Sequence, residues 1–342
     1  MDISQSNIEQ LQALLQKPAQ NIVILSHTNP DGDAIGSSLA WAEALRRIGH
    51  SVRCIVPNRF PYYLEWMSGI DQLLIFKHDE QGIACKAIAE ADIIFSLDFH
   101  SLSRLDSLGE AIAQNTTAKR VLIDHHLNPS EPFDIMFSHP EASSTSYLVF
   151  RLIEQMWGVE SITAQQAEVI FVGMMTDTGN FSFSNLTPDL YRTLSVLAAT
   201  GIDIPQIHNN VYNSFTEGRA RLFGYTINRK MKLLRKGTVA HMSLTEEEMR
   251  RFWFQQGDSE GFVNYPLTIK KMRMSAIFIE HKDFIRVSLR SRGKVDVNLF
   301  AARYFEGGGH HNAAGGKSFV SMAETIARFE AAVEEFASEG LL

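Results

Sequence analysis

Apolar residues recur along this chain in two rhythms. Residues 22–25, 52–56, 73–76, 93–97 and 121–123 are continuous apolar runs of strand length. Between the first two, residues 34–48 set Ile35, Leu39, Ala42, Leu45 and Ile48 on one helical face and stop at Gly49. Residues 1–19 carry Ile8, Leu11, Leu14 and Leu15 at helical spacing. Unbroken apolar strands alternating with helices predict a parallel sheet covered on both faces. Beyond residue 128 the pattern becomes mainly helical. Residues 143–157 open with small polar caps, followed by Leu148, Leu152 and Met156. Residues 164–175 form an apolar helix, and Thr187-Pro188 opens another that ends at Gly201.

The remainder reads differently. Residues 216–236 form a basic helical stretch that reads as a link to a second domain. Residues 238–244 read as a strand, and Thr245-x-x-Glu248 is a capping box ahead of a short helix. Residues 275–280 and 284–289 alternate about His281-Lys282-Asp283 as a hairpin does. Residues 297–305 are helical and lead into G-G-G-H-H-N-A-A-G-G at 307–316, which reads as a loop whose backbone N–H groups can approach an anion. Arg290 and Arg292 lie near it in sequence. An amphipathic helix over 323–336 closes the chain. The expectation is an α/β protein: residues 1–213 as a parallel-sheet domain with helices on both faces, 214–236 as a linking helix, and 237–342 as a smaller α/β domain with a mixed sheet.

Composition narrows the picture. A chain of 342 residues exceeds one typical core, which fits two domains. With 45% hydrophobic and 21% charged residues it is an ordinary globular chain. Cys54 and Cys85 have no motif spacing and no secretory segment is evident, so a reducing cytoplasm is expected. No apolar run approaches the roughly 18–20 residues of a membrane span. A net charge of −7 argues against a protein that coats long nucleic acid. The charge is uneven: from Ser214 onward there are 20 Lys and Arg against 15 Asp and Glu, and before it 12 against 24. An acidic half beside a basic half suits a metal enzyme acting on a small anion.

The acidic half also holds the chemistry. Three apolar runs end in metal-type ligands: Ser26-His27, Asp98 within S-L-D-F-H, and Asp124-His125-His126. Sites in open α/β sheets form beyond the carboxyl ends of strands, so these endings are expected to converge. Residues 26–36, S-H-T-N-P-D-G-D-A-I-G, add Asp31 and Asp33 to His27. Taken alone that stretch reads equally as a helix-capping loop or a cation site. Asp177, in T-D-T-G-N-F, follows a buried-looking helix where an acid opposes the helix dipole. A nearby cation would explain it, and so would a solvated turn. Six ligands (His27, Asp31, Asp33, Asp98, His125 and Asp177) are too many for one open catalytic ion and suit two ions roughly 3.5–4 Å apart. The absence of thiolate motifs, of G-x-S-x-G and of G-x-x-x-x-G-K-[ST] disfavours structural zinc, an α/β-hydrolase nucleophile and a P-loop.

The ordered set H-x-x-x-D-x-D at 27–33, Asp98, D-H-H at 124–126 and Asp177 resembles the DHH phosphoesterase family, and G-G-G-H at 307–310 resembles the associated DHHA1 domain. Length and domain pair most resemble the family's bacterial nanoRNases and pAp phosphatases. The resemblance implies that His27 and Asp31 hold one Mn²⁺, that Asp33, His125 and Asp177 hold the other, and that Asp98 bridges them. It implies that His126 touches the scissile phosphate while Asp124 orients an imidazole. Arg104, Arg290, Gly307, Gly308, Gly309 and His310 would bind substrate. His311 and Asn312 depart from the Lys or Arg that the family often places there. The implied activity is two-metal hydrolysis of short oligoribonucleotides or 3'-phosphoadenosine 5'-phosphate, with Mg²⁺ or Co²⁺ as substitutes. Long-duplex binding and membrane association are not expected, and a homodimer is compatible. The competing readings are a cyclic or linear dinucleotide phosphodiesterase, an inorganic pyrophosphatase or exopolyphosphatase, and a non-catalytic nucleotide sensor.

Overall fold

A computed structural model describes residues 2–17, 19–127, 129, 132–182 and 186–342. The chain divides into two units, residues 1–214 and 215–342.

The first unit is built on six parallel strands: β1 (Asn21–Leu25), β2 (Ser51–Val56), β3 (Leu73–Ile75), β4 (Ile93–Leu97), β5 (Lys119–Asp124) and β6 (Ile135–Ser138), in the order β3-β2-β1-β4-β5-β6. Its helices are α1 (Gln5–Leu15), α2 (Gly32–Arg47), α3 (Ile83–Ala89), α4 (Leu108–Gln114), α5 (Thr145–Trp157), α6 (Ala164–Asp177), α7 (Pro188–Ala199) and α8 (Ile204–Tyr212). Because strand side chains alternate, Val23, Leu25, Ile55 and Ile94 face one way, against Ala84 and Ile88 of α3 and Leu108 and Ile112 of α4. Phe95 faces the other way and meets Trp41 of α2 edge-on, at 5.6 Å between ring centres. Helices therefore cover both faces, which is why the strands are apolar throughout. The order turns back between β1 and β4. The carboxyl ends of those strands border the crevice that such a reversal opens.

Helix α2 lies close against α6 because glycines stand at their contact. A Cβ on Gly173 of α6 would collide with Ser146 Oγ of α5 and approach the Asp33 carboxylate. A Cβ on Gly36 would strike the Val169 carbonyl.

The second unit carries a mixed sheet of β7 (Lys232–Leu234), β8 (Val239–Leu244), β9 (Met274–Glu280), β10 (Ile285–Ser291), β11 (Gly308–His310) and β12 (Ala313–Ser318), in the order β11-β12-β10-β9-β8-β7. Only β8 and β9 pair in parallel. Its helices are α9 (Glu217–Tyr225), α10 (Glu246–Arg251), α11 (Val297–Tyr304) and α12 (Met322–Ser338). One face packs Val287 and Leu289 against Phe300 of α11 and Phe329 and Phe336 of α12. On the other face, Met242, Leu244, Ile277 and Ile279 of β8 and β9 are covered by Leu222 of α9 and by Phe262 and Val263. The side chains of β10 on that second face, Arg286, Ser288 and Arg290, are only half-buried.

Several expectations change. The N-terminal helix is shorter than 1–19: it starts after Ser4, whose Oγ accepts from Asn7 N, and residues 1 and 18 lie outside the described residues. Residues 216–236 are not one helix. They form α9, a π-helical turn at Thr226–Lys230, strand β7 and a tight turn at Arg235–Gly237. Met231 and Lys232 have extended backbone because β7 completes the sheet edge beside β8. The glycine-rich segment is not a free loop. Gly308–His310 pairs with Ala313–Gly315 as a hairpin, where a Cβ on Gly307 would overlap the Gly315 carbonyl. Edge strand β6 is four residues long and helix α8 nine; both fall outside the expected elements, although Ile204, Ile207 and Val211 of α8 recur at helical spacing. Among the described residues, no helix is long and apolar enough to cross a membrane.

Gly173→Val is expected to lower stability by about 1–3 kcal/mol, because the added carbons must displace Ser146 and Asp33. Urea unfolding of variant and parent measures this, and an unchanged midpoint would refute the close-packing argument.

Candidate metal centre

Each strand that borders the crevice contributes side chains where its apolar run stops. After β1, the chain turns through His27 to Asp31, which caps α2. Asp31 Oδ1 accepts from Asp33 N at 3.0 Å and Ala34 N at 3.1 Å. Capping uses that one oxygen, so the capping role and a cation role do not exclude each other. Asp33, in the first turn of α2, turns inward and is 1% exposed. Its Oδ2 accepts from Thr145 N at 2.6 Å and its Oδ1 from Ser146 N at 2.8 Å, where the first turn of α5 favours negative charge.

Asp98 follows β4 in the left-handed region, φ 64°, and is 2% exposed. Its two oxygens face different neighbours. Oδ2 lies 3.3 Å from His27 Nε2, and Oδ1 lies 3.5 Å from His125 Nε2 and accepts from Thr145 Oγ1 at 2.9 Å. His125 Nε2 is also 3.5 Å from Asp177 Oδ2 and 3.9 Å from Asp33 Oδ2. Donor atoms of His27, Asp31 and Asp98 fall within 4.8 Å of one another, as do those of Asp33, His125 and Asp177.

The protons say what these two clusters lack. His27 Nδ1 donates to the Thr28 carbonyl at 2.9 Å and His125 Nδ1 to the Ala142 carbonyl at 3.3 Å. In its neutral form each ring therefore turns an Nε2 lone pair toward carboxylate oxygens. Burial and the charge of Arg104 lower the His27 pKa to about 4, so His27 brings no proton to that contact. Burial, and then Asp33, Asp31, Asp177 and Asp124, push the Asp98 carboxyl well above the usual carboxylate range. Burial likewise raises Asp33. For His125, burial lowers the pKa, but the surrounding Asp177, Asp33 and Asp124 outweigh it and the net shift is upward. Lone pairs and carboxylates aimed at common points form a donor set for hard or borderline divalent cations.

A third group stands beside these. Asp124 ends β5 fully buried, with Oδ1 2.8 Å from His126 Nδ1 and Oδ2 3.3 Å from His100 Nδ1. Burial works against its charge, yet the imidazoles of His100 and His126 hold its carboxyl far below the usual range. The bond to Asp124 fixes the His126 ring and leaves Nε2 pointing away from it. Burial, its largest influence, lowers the His126 pKa. His100, Thr145 and Ser146 were not foreseen as site residues. His100 stands two positions after Asp98 in S-L-D-F-H, which was a visible signal; Thr145 and Ser146 read only as helix caps. Arg104 lies in a short turn whose carbonyl accepts from Thr28 N at 2.7 Å, and its charge lowers the pKa of both His27 and His126.

The remaining expected site residues belong to the second unit. Arg290 lies on β10, and Gly308, Gly309 and His310 form β11, with Gly307 leading in. Gly309 N donates to Asn298 Oδ1 at 2.8 Å. Asn312 Nδ2 donates to Ser291 Oγ at 2.8 Å, so this departure from the family habit ties the hairpin to the end of β10.

Comparison with known proteins follows the same division. Residues 21–174 match the DHH family N-terminal domain and residues 239–339 the DHHA1 domain. The bifunctional oligoribonuclease and PAP phosphatase of Thermus thermophilus is 28% identical over 86% of this chain and 83% of its own length. The cyclic-di-AMP phosphodiesterase of Bacillus subtilis is 27% identical over 94% of this chain but only 49% of its own length. An exopolyphosphatase-related protein from Bacteroides fragilis has a solved structure that is 43% identical, with TM-score 0.91 over 98% of this chain and 97% of that one.

Asp98→Asn is expected to stabilise the metal-free protein at neutral pH. A carboxyl whose folded pKa is raised costs nothing below its unfolded value and destabilises increasingly as pH rises past it. Thermal unfolding in EDTA should show the variant gaining more at pH 7 than at pH 4. A variant less stable than the parent at pH 7 would contradict the charge repulsion inferred around Asp98.

Proposed function

Because this chain belongs to the DHH family of phosphoester hydrolases and carries a DHHA1 domain, we propose that it hydrolyses short oligoribonucleotides and 3'-phosphoadenosine 5'-phosphate with two Mn²⁺ ions. The observation that carries this reading is Asp98, whose two oxygens face His27 on one side and His125 on the other. His27 and Asp31 would hold one ion, Asp33, His125 and Asp177 would hold the second, and Asp98 would serve both. When bound, the ions supply Lewis acidity, lowering the pKa of a water and neutralising charge that builds on the phosphoryl oxygens. The Thr28 and Ala142 carbonyls keep both ligand imidazoles in the tautomer with Nε2 free to coordinate. Asp33 stays oriented by two backbone N–H groups of α5.

His126 binds the scissile phosphate. With Nδ1–H committed to Asp124, only the imidazolium has a second N–H to offer. The negative charge of an arriving phosphate, together with the ionised Asp124, stabilises that form, so His126 takes up a proton as substrate binds. Asp124 keeps the ring in place, and His100 keeps Asp124 ionised. Arg104 adds a cation beside His27 and His126. Arg290, the Gly307–Gly309 backbone and His310 hold the nucleotide portion.

The relative named as an oligoribonuclease and PAP phosphatase covers both units, which supports this substrate class. A second reading, cleavage of a cyclic dinucleotide, draws on the relative named as a cyclic-di-AMP phosphodiesterase. A panel of pAp, RNA of two to five residues, cyclic-di-AMP and pyrophosphate, each with Mn²⁺ and with EDTA, separates them. Turnover of pAp or short RNA only with metal is the expected result. Their survival would overturn the proposal, and cleavage of the cyclic dinucleotide alone would favour the second reading.

Asp98→Ala is expected to remove activity, and near-parental turnover would rule out its shared role. His126→Ala is expected to lower kcat by about 10²–10³, the loss typical of a donor to developing charge. A change confined to KM would show that His126 acts only in binding.

A further inference from the structure

The half-buried face of the second sheet contains an arrangement that the fold alone does not justify. Arg286 of β10 stands directly opposite Lys317 of β12 in the antiparallel ladder, a like-charge pair that destabilises a sheet. The Arg286 guanidinium is enclosed: its Nε is shielded from solvent without a hydrogen-bond partner, and its Nη2 donates to the neutral Ser259 Oγ at 3.0 Å. Burial pushes its pKa below the ordinary value, and the charge of Glu260 only partly offsets this. Burying a guanidinium without a close carboxylate is costly, and an anion would relieve both penalties.

Aromatic rings adjoin the cations. Phe284, two residues before Arg286, carries Lys317 Nζ 4.9 Å from its ring centre. The His281 ring stacks on Phe284 at 5.0 Å and 15°, and Phe319, 61% exposed, lies 6.4 Å beyond. Burial, then Arg286 and Lys317, lower the His281 pKa, which places three basic groups around one spot. Glu260 acts on Arg286, Asp258 is buried next to Ser259, and Asp283 falls in the hairpin turn next to Phe284 in sequence.

We propose that Arg286 and Lys317, with Phe284 and His281, form a subsite for one phosphate and one stacked base of a single-stranded oligonucleotide. Cations that follow a backbone beside rings that accept any base are how such strands are bound without sequence preference. Arg286 and Arg290 share a strand face four residues apart, which is about 14 Å. The two phosphates of pAp are separated by one ribose and cannot span that distance, so the subsite favours oligonucleotides over pAp. This inference rests on the phosphoesterase reading above for the nature of the ligand.

The test uses the full chain and the variants Arg286→Gln and Lys317→Glu. Fluorescence anisotropy of a labelled pentaadenylate in EDTA measures binding without turnover, and KM with Mn²⁺ is measured for pAp. Affinity for the pentanucleotide is expected to fall at least about tenfold in each variant. The dependence of log affinity on log salt should flatten by about 0.7 for each phosphate that a variant no longer neutralises. The KM for pAp should not change, and neither variant should melt below the parent, since each relieves the cation pair. If Arg286→Gln fails to fold, the exposed Lys317→Glu carries the test. Unchanged pentanucleotide affinity in the folded variants, or an equal loss for pAp, overturns the subsite. Binding that depends on these residues, with no hydrolysis of either substrate under Mn²⁺, would sink the phosphoesterase reading and leave the subsite standing. Hydrolysis with affinity indifferent to both variants would do the reverse.

Discussion

Everything in the first unit answers to one electrostatic problem: a nearly buried carboxylate, Asp98, surrounded by other carboxylates. A folded chain tolerates such a cluster when dipoles, tautomers and cations are arranged to receive it. The α5 N-terminus takes up Asp33 through two backbone N–H groups, and Thr145 donates its hydroxyl to Asp98. Two backbone carbonyls set the tautomers of His27 and His125 so that lone pairs face carboxylates. What these groups still lack is positive charge, which divalent cations held by the two adjacent donor clusters would supply.

That electrostatic arrangement depends on dense packing. Gly36 and Gly173 let α2, α5 and α6 approach until Asp33 reaches the first turn of α5. Asp98 adopts a left-handed backbone at the end of β4, a conformation that its surroundings hold in place. Asp124, between His100 and His126, is the counterpart of Asp98: a buried carboxylate held ionised by imidazoles instead of raised by acids. Two buried aspartates with opposite pKa shifts stand at adjacent strand ends; on the proposed reading, one would serve the ions and the other would orient a phosphate-binding histidine.

The second unit uses its sheet in another way. One face is a conventional aromatic core. The other is covered most fully over β8 and β9, and Arg286, Ser288 and Arg290 stand half-buried in a row on β10. The turn of the β11–β12 hairpin sits at the Arg290 end of that row, and the stacked His281 and Phe284 sit at the other. A strand of alternating small and cationic side chains beside aromatic rings is a chemically coherent surface for a nucleotide chain.

The sequence by itself determined the alternation of strands and helices, the covered parallel sheet, and the placing of His27, Asp98 and Asp124 at the ends of apolar runs. These are local properties: a buried strand must be apolar until it leaves the core, and polar residues mark where it leaves. It also held the types of ligand, since carboxylate and imidazole chemistry needs no fold to be recognised. Local signals misled where they conflicted with pairing partners. Lys232–Leu234 looked helical and became an edge strand, and Gly308–His310 looked like a loop and became half of a hairpin. Only the tertiary structure decided which groups meet. Thr145 bonds Asp98 across 47 residues and Ser146 bonds Asp33 across 113. His100 meets Asp124, and Arg286 faces Lys317, through strand order and register. Such meetings are fixed by how strands and helices cross, and no periodicity along the chain encodes them.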